Sequence, residues 1–314
     1  MKSKLAFLLY DSRSGSTFFA SKLEKLQDCY VTNESDFVSR ILFNKDNIND
    51  NLIDFLFKDI RFVDMNIERE SLNDFITLNK PDAKKLIEYI LIEHLKRRYS
   101  FFEDKPNNII VIKHPPIGDF NTIKEIWNNV RYFLIVRDGR DVHLSKYNSI
   151  NLNNKRFSTN VLSSALNWKT KQNLFLQYVN PSDIFKYEEL ISQEDIYTFI
   201  AKKIGTLATL DNRKEFPLPI SQKGFHSNVN KGILSSNKKK YDEDSYVNFI
   251  FCLIARKVLL EYGYSTLYKF NFSYTLKLLF EFINLALSGI KNILKYILTD
   301  RYLLKTKLSK MFKK

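Results

Sequence analysis

The chain has 314 residues, of which 44% are hydrophobic and 14% aromatic, so it can form one large α/β domain or two small ones and is not a disordered chain. Two cysteines, Cys29 and Cys252, provide neither a disulfide framework nor a metal-binding spacing, which fits a reducing compartment. The net charge is +14. Ten Lys or Arg against two acids between Lys269 and Lys314 account for +8 of this charge. The rest of the chain is therefore only mildly basic, as expected for a site that binds a polyanionic small molecule.

The first predicted strand runs into a short polar loop that precedes a helix. Leu5 to Tyr10 is an apolar run with the length of a buried parallel strand, too short for the core of a secretion signal. Free N–H groups at the start of a helix, together with hydroxyls and a cation, favour an anion. The loop therefore predicts a phosphate site, although an ordinary serine-rich helix cap is the alternative and the Walker signature is absent. Its residues are Arg13, Ser14, Gly15, Ser16 and Thr17.

Two further strand ends bring candidate residues to the same edge of the predicted sheet. Asp28 to Val31 is a short strand candidate that Glu34 follows, and Asn108 to Ile112 is a buried strand candidate that ends in Lys113 and His114. Open α/β sheets bind ligands at the carboxyl ends of their strands. The alternatives are a solvated loop acid for Glu34 and a structural role for the Lys-His pair.

A fourth predicted strand, Arg131 to Val136, ends in a charged turn that opens a helix. Arg137 at the strand end and Ser145 eight residues later are suited to grip one phosphate. Asp138 and Asp141 would orient an arginine of this turn or cap the helix. The alternative is a surface salt-bridge cluster.

The rest of the first 266 residues alternates helices, one strand and one polar segment. Residues 39–99 are expected to be mostly helical and to shape an acceptor pocket, and residues 212–240 are expected to form a mobile basic loop, either a lid or a solvated linker. The other predicted elements are helices at Ala83–Arg98, Ala165–Tyr178, Ile196–Ile204 and Tyr246–Tyr262, and a strand at Asp183–Tyr187.

The C-terminal segment has a different pattern. Leu276 to Leu298 predicts a largely apolar helix with one narrow polar stripe, interrupted by charge too often for a membrane span. Two interpretations remain open, an interfacial helix on an anionic membrane surface and a helix docked on a partner subunit or on the domain. The stripe consists of Lys277, Glu281, Asn284, Ser288, Lys291 and Lys295.

Together, the two phosphate motifs resemble the sulfotransferases that use 3′-phosphoadenosine 5′-phosphosulfate. In that family a loop of the type [K/R]-S-G-[S/T]-[S/T] binds the 5′-phosphosulfate, and residues 13–17 match it. A later motif of the type [V/I]-x-R-[D/N]-P-R-[D/E]-x-x-x-S binds the 3′-phosphate through its first Arg and its Ser. Residues 135–145 match it, with Arg137 and Ser145 at those positions and Gly139 in place of the Pro.

The resemblance implies a P-loop-like sulfotransferase fold, an α/β domain with a central parallel sheet flanked by helices, over residues 1–266. Residues 267–314 would be a basic amphipathic helical tail outside it. Tyr187 is similar to a family tyrosine near the adenine, and Lys231 and Gly232 match a late nucleotide-binding element loosely.

The implied reaction moves a sulfonate group from the nucleotide to an acceptor hydroxyl without a metal. Lys113 would neutralise the sulfonate and the bridging oxygen. The catalytic base of the family maps onto Glu34 in some branches and onto His114 in others. Glu34 is preferred, because the branch with a histidine base has one residue between its lysine and its histidine, whereas Lys113 and His114 are adjacent.

The expected acceptor is a carbohydrate or glycolipid, and no nucleic-acid partner is expected. The expected compartment is the cytoplasm. The 276–298 helix would either place the protein peripherally at the inner membrane surface or form a homodimer. The alternatives are a nucleotide-dependent kinase of the P-loop type, which lacks its loop lysine here, and a non-catalytic basic membrane-binding module.

Overall fold

The fold is taken from a computed structural model that describes residues 1–149, 160–214, 242 and 244–299, with side chains given up to residue 287 of the last helix. Most of the predicted basic loop, from residue 215 onward, lies outside the described residues, as do Lys231 and Gly232.

Five strands form one parallel sheet in the described part of the chain. Its order is β2-β3-β1-β4-β5, so the first strand lies at the centre and pairs with both β3 and β4. This confirms the predicted α/β class with a central parallel sheet. The strands are β1 (Lys4–Tyr10), β2 (Cys29–Val31), β3 (Ile109–Ile112), β4 (Arg131–Val136) and β5 (Ile184–Lys186).

Helices connect and follow the strands. A run of five helices lies between β2 and β3, as predicted for this region. In chain order the helices are α1 (Ser16–Lys25), α2 (Phe37–Phe43), α3 (Asp50–Phe57), α4 (Ile60–Val63), α5 (Arg69–Asn79), α6 (Ala83–Arg98), α7 (Phe120–Ile126), α8 (Gly139–Tyr147), α9 (Val161–Leu176), α10 (Tyr187–Ser192), α11 (Ile196–Ile204), α12 (Tyr246–Glu261) and α13 (Phe272–Thr299), with a 3₁₀ turn at Pro181–Asp183.

The chain divides into two compact units. The first consists of Met1–Arg137 and Phe175–Ser236 and contains the whole sheet; the second consists of Asp138–Leu174 and Asn237–Lys314 and contains α8, α12 and α13. The C-terminal helix thus groups with α8 and α12. The predicted division of the chain at residues 266 and 267 stays a prediction.

The core of the first unit forms where α1 and α11 pack on one face of the sheet. Ala6 and Leu8 of β1 are fully buried, and they share a cluster with Phe19 and Leu23 of α1 and Ile200 of α11. Burial of each large apolar side chain stabilises the fold by about 1.5–3 kcal/mol. β1 is buried at consecutive positions because the sheet is covered on both faces, which explains its unbroken apolar run.

In the second unit, a buried arginine joins α8 to α12. Arg140 is fully buried and donates to both carboxylate oxygens of Asp138, at 2.8 and 2.6 Å, and to Asn248 Oδ1 at 2.7 Å. The predicted pairing of Asp138 with an arginine of this turn is therefore made with Arg140, and the same carboxylate caps α8 through the Arg140 N–H. A Cβ at Gly139 would lie 2.6 Å from Phe251 and 2.7 Å from Trp168, so the close packing of the unit accounts for glycine there.

One expectation about a polar segment was wrong in part, and one residue of the predicted polar stripe packs within the protein. Lys214, assigned to a mobile loop, is fully buried and its Nζ donates to the carbonyl oxygens of Leu26, Gln27 and Cys29. Glu281 of the stripe is also buried, and its carboxylate accepts the N–H of Leu162. In both cases a charged side chain satisfies backbone groups that would otherwise be unpaired.

Candidate functional site

The loop after β1 has the backbone of an anion-binding turn. Arg13 has φ +71° and Gly15, the residue that precedes α1, has φ +92°, so the chain turns sharply before the helix. No side chain caps the start of α1. The first N–H groups of a helix have no partner within it, so those of α1 are available to an anion.

A buried hydroxyl in the same loop strengthens this interpretation. Ser14 is 1% exposed, and its Oγ has no hydrogen-bond partner among the described residues. A buried hydroxyl without a partner is costly, and an anion at the start of α1 would remove that cost.

Tyr187, at the start of α10, covers the loop. A Cβ built on Gly15 would lie 2.3 Å from the Tyr187 ring, so only glycine allows this contact. The guanidinium carbon of Arg137 lies 4.7 Å from the centre of the same ring, within the range of a cation–π interaction. Tyr187 thus joins the end of β4 to the loop after β1.

Two arginines bring positive charge to this part of the site. Burial lowers the pKa of Arg13, and the nearby charge of Arg137 lowers that pKa further. Arg137 itself is only 7% exposed. Two guanidinium groups that repel each other in a partly buried site favour a bound anion.

Lys113 connects the loop to the carboxylate that follows β2. Its side chain is 2% exposed, and its Nζ donates to Thr17 Oγ1 at 3.2 Å and lies 3.5 Å from Glu34 Oε2. Burial lowers the pKa of Lys113, and the carboxylate of Glu34 opposes that shift. The ends of β1, β2 and β3 therefore meet around one ammonium group.

Glu34 is held by a further donor and lies near a tyrosine. Arg61 Nη1 donates to Glu34 Oε1 at 3.1 Å, and Tyr10, the last residue of β1, interacts electrostatically with the same carboxylate. Burial, and next to it the charge of Glu34, raise the pKa of Tyr10 well above its usual value. The Glu34 side chain remains 18% exposed, so a substrate can reach it.

The residue before Glu34 is fixed from α6. His94 Nε2 accepts the N–H of Asn33 at 3.3 Å, and His94 Nδ1 bonds the carbonyl of Met65 at 2.8 Å, which requires the proton on Nδ1. Arg98 donates to the Asn33 side chain as well. Burial lowers the pKa of His94 to about 4, so the neutral imidazole persists in the fold.

His114 follows Lys113 directly after β3. It is half-buried and interacts electrostatically with Asp36. Burial raises the pKa of Asp36, but hydrogen bonds from Arg40 and from the Asp59 carboxyl group outweigh it and leave that pKa below its usual value. His114 therefore neighbours a carboxyl pair, whereas Glu34 contacts Lys113.

The structure brings together most residues predicted for the site, at the carboxyl edge of the sheet. Ser145 lies half-buried on α8 in the second unit, and Lys231 and Gly232 lie outside the described residues. The residues that meet at the edge are Arg13, Ser14, Gly15, Thr17, Glu34, Lys113, Arg137 and Tyr187.

Sequence reasoning missed Tyr10, Arg61 and His94. Tyr10 ends an apolar run in which its hydroxyl gives no separate signal, and Arg61 is one of many cations in a helical region. His94 lies in the apolar file of α6, where a histidine is ordinarily part of the core. In the described part of the chain, no group of three or more His, Cys, Asp or Glu is arranged to hold a metal ion.

Comparisons with known proteins show a similarity in structure but none in sequence. No protein-family model matches the chain, and no curated protein matches it in sequence. Among solved structures, the chain is similar to a sulfotransferase domain from the curacin biosynthetic pathway, with 13% identity and a TM-score of 0.47, over 84% of this chain and 98% of that one. Similarity at this level does not extend to activity or ligands.

Proposed function

We propose that the chain is a sulfotransferase that moves a sulfonate group from 3′-phosphoadenosine 5′-phosphosulfate to a hydroxyl of a carbohydrate or glycolipid. One observation carries the proposal: Lys113 bridges the 13–17 loop and Glu34, with its Nζ 3.2 Å from Thr17 Oγ1 and 3.5 Å from Glu34 Oε2. In-line transfer of a charged group to a hydroxyl needs positioned groups and stabilisation of the developing charge, and a cation between an anion site and a carboxylate is suited to both.

The residues of the site fit a nucleotide with two separate phosphate groups. The start of α1, the buried Ser14 hydroxyl and the Arg13 charge suit the 5′-phosphate. Arg137, beside Tyr187, suits the 3′-phosphate, and Ser145 is assigned to that phosphate on the resemblance of its motif. The charge of Arg137 lowers the pKa of Arg13, so the two guanidinium groups are near enough to attract one nucleotide together.

The chain's own groups supply charge stabilisation and a base. When bound, the donor supplies the activated sulfonate. Lys113 stabilises the negative charge that develops on the bridging oxygen as the bond to the nucleotide breaks. Glu34 removes the proton of the acceptor hydroxyl, and its contacts with Arg61 and Tyr10 hold the carboxylate in place. We prefer Glu34 to His114 as the base because the Glu34 carboxylate lies 3.5 Å from Lys113 Nζ, whereas His114 neighbours Asp36.

The proposal is tested by calorimetric titration of the full chain with adenosine 3′,5′-bisphosphate, the expected product. We expect binding that does not need Mg²⁺ and is tighter than the binding of ATP. Replacing Arg137 by Ala should weaken it at least about a hundredfold, because a charge-assisted contact in a partly buried site is lost. The control is Arg69→Ala, since Arg69 is half exposed on α5 and its ion pair is made with Asp54, and neither is a residue of the candidate site.

Two results would contradict the proposal. Binding of ATP only, and only with Mg²⁺, would assign the site to a kinase-like function. Full affinity in Arg137→Ala would remove the assigned 3′-phosphate site.

A further inference from the structure

The C-terminal helix α13 exposes a continuous apolar face that the proposed function does not use. Leu276, Leu279, Phe280, Ile283 and Leu287 are 60%, 59%, 65%, 48% and 61% exposed. Their spacing of three, four and seven residues places them on one side of a helix that turns 100° per residue. Clusters of exposed large apolar side chains mark interaction surfaces.

The opposite side of α13 already packs within the second unit. Tyr274 and Leu278 are less exposed than their neighbours, and Glu281 is 8% exposed. Glu281 Oε2 accepts the N–H of Leu162 at 2.9 Å, which satisfies a backbone donor at the start of α9. The exposed apolar face is therefore additional to the face that holds the helix in the fold.

The charge of this segment is almost entirely positive. Between Lys269 and Lys314 there are ten Lys or Arg and two acids, Glu281 and Asp300. One of the two acids, Glu281, is buried and accepts a backbone N–H of α9. Lys277 lies on α13 beside the apolar face, with its Nζ 4.2 Å from the centre of the Tyr246 ring.

We propose that this face of α13 docks on an anionic lipid surface. An apolar helix face inserts at the boundary of headgroups and acyl chains, while flanking Lys and Arg side chains contact anionic headgroups. A second copy of the chain would bring two strongly basic segments together, which like-charge repulsion opposes. No helix in the described part of the chain has the length and apolarity needed to cross a bilayer.

The test is sedimentation of the full chain with lipid vesicles. We expect binding to vesicles of phosphatidylcholine that contain about a third phosphatidylglycerol, and little binding to phosphatidylcholine alone. Binding should weaken strongly when salt is raised from about 0.1 M to about 1 M, because exposed charges are then screened.

A pair of substitutions tests the apolar face directly. The variant Leu276→Ser with Ile283→Ser should bind anionic vesicles at least about tenfold more weakly, since two inserted side chains lose their apolar burial. The control is Leu78→Ser with Ile60→Ser, because these side chains are 81% and 63% exposed elsewhere on the chain. Both variants should keep the thermal unfolding midpoint of the wild type.

Three outcomes would overturn the proposal. They are the absence of binding to anionic vesicles, equal binding to neutral ones, and a dimer in sedimentation velocity that the Leu276→Ser, Ile283→Ser pair dissociates. The last would assign the face to a second copy. We expect nucleotide titration of the same variant to give the wild-type affinity whatever the vesicles show, so a failure here is distinct from a failure of the sulfotransferase proposal.

Discussion

In the 13–17 loop, Gly15 is required by two independent constraints, its backbone conformation and a neighbouring side chain. Gly15 has φ +92°, a conformation that residues with a Cβ adopt only at a cost, and Tyr187 occupies the space where a Cβ would be. Gly205, at the end of α11, shares only the first constraint, because it has φ +74° and nothing lies within 4 Å of the position that a Cβ would occupy. A comparison of Gly15 with Gly205 therefore distinguishes the cost of a positive φ from the cost of a steric clash.

We therefore predict different consequences for the same substitution at these two glycines. Gly205→Ala should lower the free energy of unfolding by about 1–2 kcal/mol, the cost of a left-handed alanine. Gly15→Ala should lower it further and reduce affinity for adenosine 3′,5′-bisphosphate at least about tenfold, because Tyr187 must move. Urea unfolding and calorimetry measure the two effects. Equal losses of stability with unchanged nucleotide affinity would contradict the assigned role of Gly15.

At the scale of elements, α8 is attached to α12 through polar groups rather than through apolar packing alone. Arg140 uses its guanidinium to join Asp138, Asn248 and the carbonyl of Ser265, all within the second unit. A buried charge with this many partners is expensive to disturb, since loss of one member leaves the others without their partner in a dry site. The Arg-Asp-Gly-Arg turn therefore combines a candidate ligand, Arg137, with a structural cation, Arg140.

Replacing Arg140 by Leu should destabilise the protein by about 3–5 kcal/mol, because the Asp138 carboxylate would stay buried without its cation. Arg256 is an exposed arginine on α12, and Arg256→Leu should change stability by less than about 0.5 kcal/mol. Chemical denaturation of both variants measures the difference. A similar, small effect for both would mean that Arg140 does not hold α8 on α12.

At the scale of the whole molecule, the described residues of each compact unit include a buried neutral histidine. Burial lowers the pKa of His94 in the first unit and of His143 in the second to about 4. His143 Nδ1 is paired with Ser164 Oγ at 2.9 Å. Because the folded pKa lies below the unfolded value, each histidine contributes stability that is complete above the unfolded pKa near 6.5 and is lost as pH falls toward 4.

This predicts a measurable pH dependence of stability. Between about pH 7.5 and about pH 4.5, each histidine should remove about 2–3 kcal/mol from the free energy of unfolding. The variants His94→Gln and His143→Gln should each lose correspondingly less stability than the wild type over that range, as followed by urea unfolding at both pH values. Burial raises the pKa of Glu24 to about 7, so protonation of Glu24 increases the free energy of unfolding as pH falls, opposite to the two histidines. The comparison is therefore made between variants rather than on the wild type alone. Parallel pH profiles for all three proteins would contradict the prediction.

The sequence by itself determined that the sheet is parallel and that the candidate residues follow its strands, at the carboxyl edge. The apolar runs of β1 and β4 are long and bounded by charged turns, and α6 has strong helical periodicity, so local pattern was sufficient for these elements. The loop after β1 and the turn after β4 were predicted from short polar motifs that follow those strands.

Only the tertiary structure decided which polar groups face the site and which support the fold. Lys113 and Lys214 are both buried lysines, but Lys113 meets a loop hydroxyl and a carboxylate, whereas Lys214 meets three backbone carbonyls. Likewise Glu34 lies in the candidate site and Glu281 caps α9. Such partners are distant in sequence, and because the role of a charge depends on the groups that surround it after folding, local pattern does not specify it.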